Sequence, residues 1–83
     1  MQLTSIGGWA SGKGDFRFVE RVSGIVYWCP QCLVRLGHGF AVVEGPAEFS
    51  PVSSGSRGLA ADKLRVAEGE HLVVPESSVV LIR

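Results

Sequence analysis

The chain has 83 residues, of which 46% are hydrophobic and 19% are charged, and its eight basic residues balance its eight acidic ones. A chain of this length buries only about 60% of the surface that its unfolded form exposes, so it relies on a metal, a disulfide or other chains for stability. A neutral, apolar surface gives little repulsion between molecules and favours association. We therefore expect one domain over residues 1–83, with other protein chains, identical or different, as its partners.

The same composition disfavours several other roles. The basic residues are scattered from Lys13 to Arg83 without a run, whereas binding to phosphate backbones requires clustered cations, so nucleic acid is not expected as a partner. No stretch approaches the length of apolar sequence that a membrane span needs. Residues 1–8 lack the basic and apolar regions of a secretory signal, so we expect no export and a cytoplasmic location. In that reducing compartment, closely spaced cysteines more often bind metal or act in catalysis than form a structural disulfide.

The first part of the chain predicts an arm and then a hairpin. Residues 1–14 are rich in glycine and are expected to form an N-terminal arm. From residue 15 to residue 22, apolar and basic side chains alternate, which is typical of a half-buried strand. The apolar side chains of this strand are Phe16, Phe18 and Val22, and the basic ones are Arg17 and Arg21. Ser23 and Gly24 predict a turn, and residues 25–28 predict the returning strand.

The second part predicts further short strands. Residues 33–36 are too short for a confident helix and end at a glycine-rich turn around His38. Residues 40–44 predict a strand, and residues 47–49 extend the sheet briefly before a polar loop over residues 50–58. Residues 59–68 fit either a short helix or a strand, and we favour the strand because another strand at 71–74 follows at hairpin distance. Residues 78–82 predict a last strand that is buried on both faces or lies in an interface.

Six to eight short strands separated by glycine turns define the expected fold. The sequence predicts a mostly β domain, which would be a small barrel or sandwich of antiparallel strands that carries a Cys-x-x-Cys turn.

The segment Trp28-Cys29-Pro30-Gln31-Cys32 contains both cysteines and is the main candidate for chemistry. Thiolates at this spacing suit a tetrahedral zinc, which needs four ligands in a closed site. His38 and His71 are the two histidines that could complete a zinc-stabilised binding module with Cys29 and Cys32. Alternatively, the cysteines form half of a zinc or iron–sulfur site that a partner chain completes. The Cys-Pro-x-Cys segment resembles one knuckle of zinc ribbons and rubredoxin-like domains, although their second Cys-x-x-Cys is absent.

The same segment also resembles the active-site turn of the thioredoxin and glutaredoxin families. That resemblance implies a small thiol–disulfide oxidoreductase in which Cys29 is the attacking thiolate and Cys32 the resolving thiol. In those families a long helix follows the motif, whereas Gly37 and Gly39 interrupt the segment that follows it here. A further alternative is that the two cysteines are simply small buried apolar residues at a turn.

Other motifs carry little chemistry. Residues 7–14 nearly match a phosphate-binding loop, but Gly14 stands where the hydroxyl residue belongs, and a strand pattern follows instead of a helix. Asp15 and Asp62 are the only aspartates, and neither lies near a histidine in sequence. No catalytic set is predicted.

The leading hypothesis is a non-enzymatic structural or assembly protein that is embedded in a larger complex. Its length, neutral charge, glycine-rich arm and apolar C-terminal run (residues 78–82) together resemble the small β-rich accessory components of tailed-phage virions. The resemblance implies a place at the tail tip, the baseplate or the capsid, and it adds the virion to the cytoplasm as an expected location.

Overall fold

The computed structural model describes residues 4–6, 9–53 and 62–80 of the chain. These residues form seven strands and one short 3-10 helix. The strands are β1 (Thr4–Ile6), β2 (Trp9–Val19), β3 (Val26–Gly37), β4 (Phe40–Glu44), β5 (Ala47–Ser53), β6 (Leu64–Val66) and β7 (His71–Pro75), and the 3-10 helix is Glu76–Ser78. In the part of the chain that is described, no helix is long and apolar enough to cross a membrane.

The strands form one antiparallel sheet that curls into a half-barrel. The main path runs β1-β2-β3-β4-β7, and β5 pairs with β3 and with β6. After β7 the 3-10 helix returns the chain to β2, where Val79 forms a bridge with Phe18 and the backbone N–H of Val80 donates to the carbonyl of Arg17 at 3.0 Å. The predicted mostly β fold of short antiparallel strands is therefore confirmed.

The core lies on the concave side of the curled sheet. Phe16 and Phe49 are fully buried, and the ring of Phe49 contacts both Phe16 and Phe18 edge-on, with ring centroids 6.1 and 5.4 Å apart. Alternation explains this arrangement, because successive side chains of a strand point to opposite faces. The remaining buried residues of the core cluster are Cys29, Cys32, Val34, Ala41, Val43, Val66 and Val74.

The β2–β3 hairpin corrects one predicted burial. Val22 was expected to share a buried face with Phe16 and Phe18, but its side chain is 95% exposed. The reason is that β2 ends at Val19, and residues 21–23 form the turn, so the alternation of the strand no longer applies at Val22.

Several predicted segments can be compared directly. Residues 9–14 of the expected arm form the first half of β2, where residues 10–14 pair with residues 32–36 of β3. Residues 50–53 of the expected loop belong to β5, and residues 54–58 lie outside the described residues. The strand favoured within residues 59–68 is confirmed as β6, and residues 59–61 lie outside the described residues.

The C-terminal segment differs from its prediction. A strand was expected over residues 78–82, but Ser78 ends the 3-10 helix and only Val79 forms a bridge. The helix begins directly after Pro75, where the chain leaves β7 and crosses toward β2. Its turn is closed by the backbone N–H of Val79, which donates to the carbonyl of Glu76 at 3.1 Å, so Ser78 has a helical and not an extended backbone. Residues 81–82 lie outside the described residues.

Candidate functional site

A gap in the sheet lies beside the cysteine segment. On the edge of β3 that faces away from β2, residues 26–28 pair with β5 and residues 34–37 pair with β4. Residues 29–33 lie between these two pairings and pair with neither strand. We call the resulting cleft, with a volume of about 420 Å³, the notch. The notch is lined by residues 29–33 together with Lys13, Glu44, Pro46, Ala47 and Glu48.

A β-bulge places both cysteines on the core face. Residues three apart in a regular strand point to opposite faces, yet Cys29 and Cys32 are only 5% and 6% exposed. Cys29 pairs with Phe16 and Cys32 pairs with Gly14. Between these two pairs β3 has two residues, whereas β2 has only Asp15, so β3 contains one extra residue. The extra residue restores the common face, as bulges do.

The bulge is held by a contact from the neighbouring strand. Gln31 has a φ of 56°, which lies in the left-handed region that side chains other than glycine rarely adopt. Its backbone N–H donates to Oδ1 of Asp15, at 3.2 Å. Asp15 is the β2 residue that lies opposite the bulge, so its carboxylate satisfies a backbone donor that the interrupted ladder does not.

Cys29 and Cys32 form a disulfide. Their Cα atoms are 5.9 Å apart, within the usual range for bonded cysteines. The structure therefore shows the pair as a disulfide, whereas the metal and redox hypotheses stay predictions. In the oxidised state neither sulfur is a thiolate, and the thiolate is the form that binds zinc or an iron–sulfur cluster.

The structure does not bring the histidines to the cysteines. His38 lies in the turn between β3 and β4, whereas His71 begins β7 and pairs with Glu44, the last residue of β4. The two histidines therefore lie at opposite ends of β4, whose length is about 13 Å at roughly 3.3 Å per residue. Among the described residues, no group of three or more His, Cys, Asp or Glu side chains could hold a metal.

Charge around the notch is largely compensated, with one exception. Glu44 accepts a hydrogen bond from Arg35 at 2.8 Å. Glu48 lies 3.1 Å from both Lys63 and Arg65, and its hydrogen bond with Lys63 is the main reason that its pKa is lowered. Lys13 also lines the notch, but it forms no ion pair with any residue that the structure describes. The charged side chains that line the notch are therefore one lysine and two glutamates, and each glutamate lies within 3.1 Å of a cationic side chain outside the lining.

A second surface lies on the convex side of the sheet, on β4 and β7. Phe40 is 47% exposed and Val73 is 54% exposed. Phe40 pairs with Pro75, and Val42 pairs with Val73, so these four side chains lie on one face. We call this group the β4–β7 face. The outer edge of β7 pairs with no other strand in the described part of the chain.

The sequence contained a signal for this surface. The runs Phe40-Ala41-Val42-Val43 and Leu72-Val73-Val74 are apolar at every position instead of at alternate ones. Such a run indicates a strand with two apolar faces. Because Ala41, Val43 and Val74 fill the core, the apolar residues between them are left on the outside.

Comparison with known proteins found no relative. No protein-family model matches this sequence, and no curated protein or solved structure is detectably similar to it.

Proposed function

We propose that this protein is a non-enzymatic assembly module that pairs with a second copy of itself through strand β7. The observation that carries the proposal is the exposed side chain of Val73 on an edge of β7 that pairs with no strand among residues 4–6, 9–53 and 62–80. An unpaired edge presents backbone N–H and C=O groups that can pair with another strand, and proteins usually protect such edges with lysine, proline or a bulge. The only such residue in β7 is Pro75, at its end.

The geometry of β7 suits two-fold pairing. The strand has five residues, from His71 to Pro75, and Val73 is at its centre. Antiparallel pairing of two copies about that centre places Val73 opposite Val73 and His71 opposite Pro75. This arrangement is isologous, as in most homodimers, because each molecule presents the same surface. The two sheets would join into one.

The side chains beside the edge support the same pairing. Phe40 and Val42 lie on β4, directly beside β7, so the apolar β4–β7 faces of two copies would lie next to each other, each flanked by Glu44 and His71 at its end. Apolar area that is removed from water stabilises a complex by roughly 25 cal/mol per Å² before the entropic cost of association. The zero net charge opposes this contact very little.

A module of this kind is suited to a larger assembly, in which the paired sheets would be one contact among several. One class of such assemblies is the virion of tailed phages, whose small β-rich components this chain resembles in general character. Membership of a virion stays a prediction. The tail tip, the baseplate and the capsid are the places that it implies.

Sedimentation velocity of the native protein and of two lysine variants tests the proposal. Val73→Lys places a charge at the centre of the proposed pair, whereas Val52→Lys changes a valine of matching exposure (52%) on β5. We expect the native protein and Val52→Lys to be dimeric and Val73→Lys to be monomeric, all with the same circular dichroism. A native protein that is monomeric up to high micromolar concentration would refute the proposal, as would a dimer that both variants retain.

Cysteine substitution adds a test of the register. Opposite residues of an antiparallel pair have Cα atoms about 4.5–5.5 Å apart, which permits a disulfide. We therefore expect Val73→Cys to form a covalent dimer on mild oxidation and Val52→Cys to form none. Equal crosslinking of the two variants would show random collision instead of the proposed pairing.

A further inference from the structure

An apolar pocket opens into the core between β2, β6 and β7. Among the described residues, β6 pairs only with β5 and β7 pairs only with β4, so the sheet is not closed between β6 and β7. The opening has a volume of about 360 Å³, which lies within the range of small-ligand sites. We call it the inner pocket. Its apolar lining residues are Phe18, Val19, Leu64, Leu72, Val74 and Pro75.

A cation lies at the inner pocket without a carboxylate beside it. Arg21 lines the pocket, and none of the ion pairs among the described residues includes it. Its guanidinium group donates instead to two neutral oxygens, to Oγ of Ser77 at 2.8 Å and to Oγ of Ser78 at 3.3 Å. These hydroxyl groups fix the position of the charge without neutralising it. A planar guanidinium group is well suited to bind a carboxylate.

Ser78 adds a buried hydroxyl group at the same place. It lines the inner pocket and is only 7% exposed. A hydroxyl group can donate one hydrogen bond in addition to those that it accepts. The oxygen of Ser78 accepts from Arg21, but its proton has no acceptor in the part of the chain that the structure describes. Because buried polar groups normally have partners, this donor indicates a ligand that carries an acceptor.

Glu20 is the other charged residue of the lining, and its carboxylate is already occupied. It accepts from the backbone N–H groups of Val22 and Ser23 and from the hydroxyl group of Ser23. These three donors hold the carboxylate in the turn between β2 and β3. Glu20 forms no ion pair with Arg21, so the guanidinium group remains open to the anion of a ligand.

We propose that the inner pocket binds an aliphatic monocarboxylate of medium chain length, such as octanoate. The carboxylate accepts from the guanidinium group of Arg21 and from the hydroxyl group of Ser78, while the alkyl chain replaces water along Leu64 and Leu72. Removal of apolar surface from water supplies affinity, and the charge selects the head group. Leu72 lies on the face of β7 opposite to Val73, so its side chain takes no part in the contact between the two Val73 residues of the proposed dimer.

Solution NMR of the native protein tests the place and the charge preference of binding. The probes are octanoate and octylammonium, a cation with a similar chain, each titrated below the concentration at which it forms micelles. We expect octanoate to shift the methyl signals of Leu64, Leu72 and Val74 to saturation, and to leave those of the exposed Val52 and Val73 unchanged. Octylammonium should bind at least about threefold more weakly.

Three results of these titrations would refute the proposal. The first is the absence of saturable binding of octanoate. The second is a similar shift at all of these methyl groups, which would show adsorption to any apolar surface. The third is binding of octylammonium that is as tight as that of octanoate or tighter, which would show that Glu20 and not Arg21 determines the charge preference.

Arginine variants identify the head-group site. Arg21→Gln should weaken the binding of octanoate about three- to fivefold, the size of an exposed charge interaction, and Arg21→Lys should restore part of it. The matched control is Arg17→Gln. Arg17 also forms no ion pair among the described residues, but it lies on the face of β2 opposite to Phe18. We expect the control to bind octanoate as the native protein does. An equal effect of the two glutamine substitutions, or no effect of Arg21→Gln, would refute the assignment of Arg21.

Discussion

Asp15 on β2 accepts a hydrogen bond from the backbone N–H of Gln31 on β3 at 3.2 Å, at the one place where these two strands are out of register. This contact lies at the bulge that positions the two cysteines. The bulge that it holds turns Cys29 and Cys32 to the same face, and without that bulge a pair at this spacing would lie on opposite faces of β3.

Replacement of Asp15 should weaken the bulge. We expect Asp15→Ala to lower the free energy of unfolding by about 0.5–1.5 kcal/mol, the usual net contribution of one hydrogen bond. Asp15→Asn keeps an acceptor oxygen in nearly the same place and should retain most of the stability. Urea denaturation followed by fluorescence measures both variants. An alanine variant as stable as the native protein would show that the bulge does not depend on this carboxylate.

Reduction of the Cys29–Cys32 disulfide should leave the protein folded. The bond closes a loop of only four residues, for which the chain-entropy relation gives a stabilisation of about 2 kcal/mol. Domains of this size are usually stable by more than that, roughly 0.05–0.15 kcal/mol per residue. We therefore expect the reduced protein, and equally a Cys29→Ser/Cys32→Ser double variant, to unfold cooperatively at a lower urea concentration. Loss of the folded state on reduction would contradict this and would also exclude a redox cycle.

The loop between β2 and β3 should make stability depend on pH. Glu20 accepts hydrogen bonds from the hydroxyl and the backbone N–H of Ser23, both at 2.6 Å, and from the backbone N–H of Val22 at 3.2 Å. The bond from the Ser23 hydroxyl is the largest cause of the lowered pKa of Glu20, whose ordinary value is 4.5.

Because the pKa of Glu20 is lower in the folded protein than in the unfolded chain, its stabilising effect is fully present above pH 4.5. The effect is lost as the pH falls through the folded value. We expect Glu20→Gln to be less stable than the native protein at neutral pH and to lose less stability on acidification. Thermal unfolding of both proteins over a series of pH values measures the difference. Parallel pH profiles would contradict the prediction, and the lowered pKa of Glu48 does not confuse it because both proteins contain Glu48.

Much of the strand pattern could be predicted, because short apolar runs between turn residues mark β4 and β7, and alternation of apolar and charged residues marks β6. The strand at residues 40–44 was predicted with its observed bounds. The strand predicted at 71–74 is β7, which extends one residue further, to Pro75. Leu64 and Val66 gave β6 by the same reasoning. The first half of β2 was not predicted as a strand because its glycines provide no apolar pattern. Its pairing depends on residues 32–36 of β3, which are distant in sequence.

The candidate site could be located from sequence but not described. The spacing of Cys29 and Cys32 marked the segment, yet a metal site, a redox pair and a buried pair all fitted it. The deciding feature is the register of β3 against β2, which adds one residue opposite Asp15. Register arises from tertiary pairing, so no local pattern reveals it. The notch is hidden for the same reason, since it exists only because β4 and β5 pair with different parts of β3.

The corner between β4 and β5 provides the last prediction. The backbone N–H of Gly45 donates to the carbonyl of Glu70 at 2.9 Å, which docks the corner on the turn between β6 and β7. A Cβ atom at Gly45 would collide with the carbonyl oxygen of Ala67, and backbone cannot move aside as a flexible side chain can. We therefore expect Gly45→Ala to destabilise the protein by about 3 kcal/mol, at the upper end of the usual range for overpacking.

Gly69→Ala is the matched control for this collision. Gly69 lies in the same turn with a φ of 84°, but nothing lies within 4 Å of an added Cβ there. The control therefore carries only the cost of placing a residue with a Cβ atom in the left-handed region, about 1–2 kcal/mol. Urea denaturation should rank the native protein first, Gly69→Ala second and Gly45→Ala last. If Gly45→Ala proves the more stable of the two variants, the corner does not depend on its close contact with Ala67. Pro46, Ala47 and Glu48, which follow this corner and line the notch, must then be positioned by other contacts.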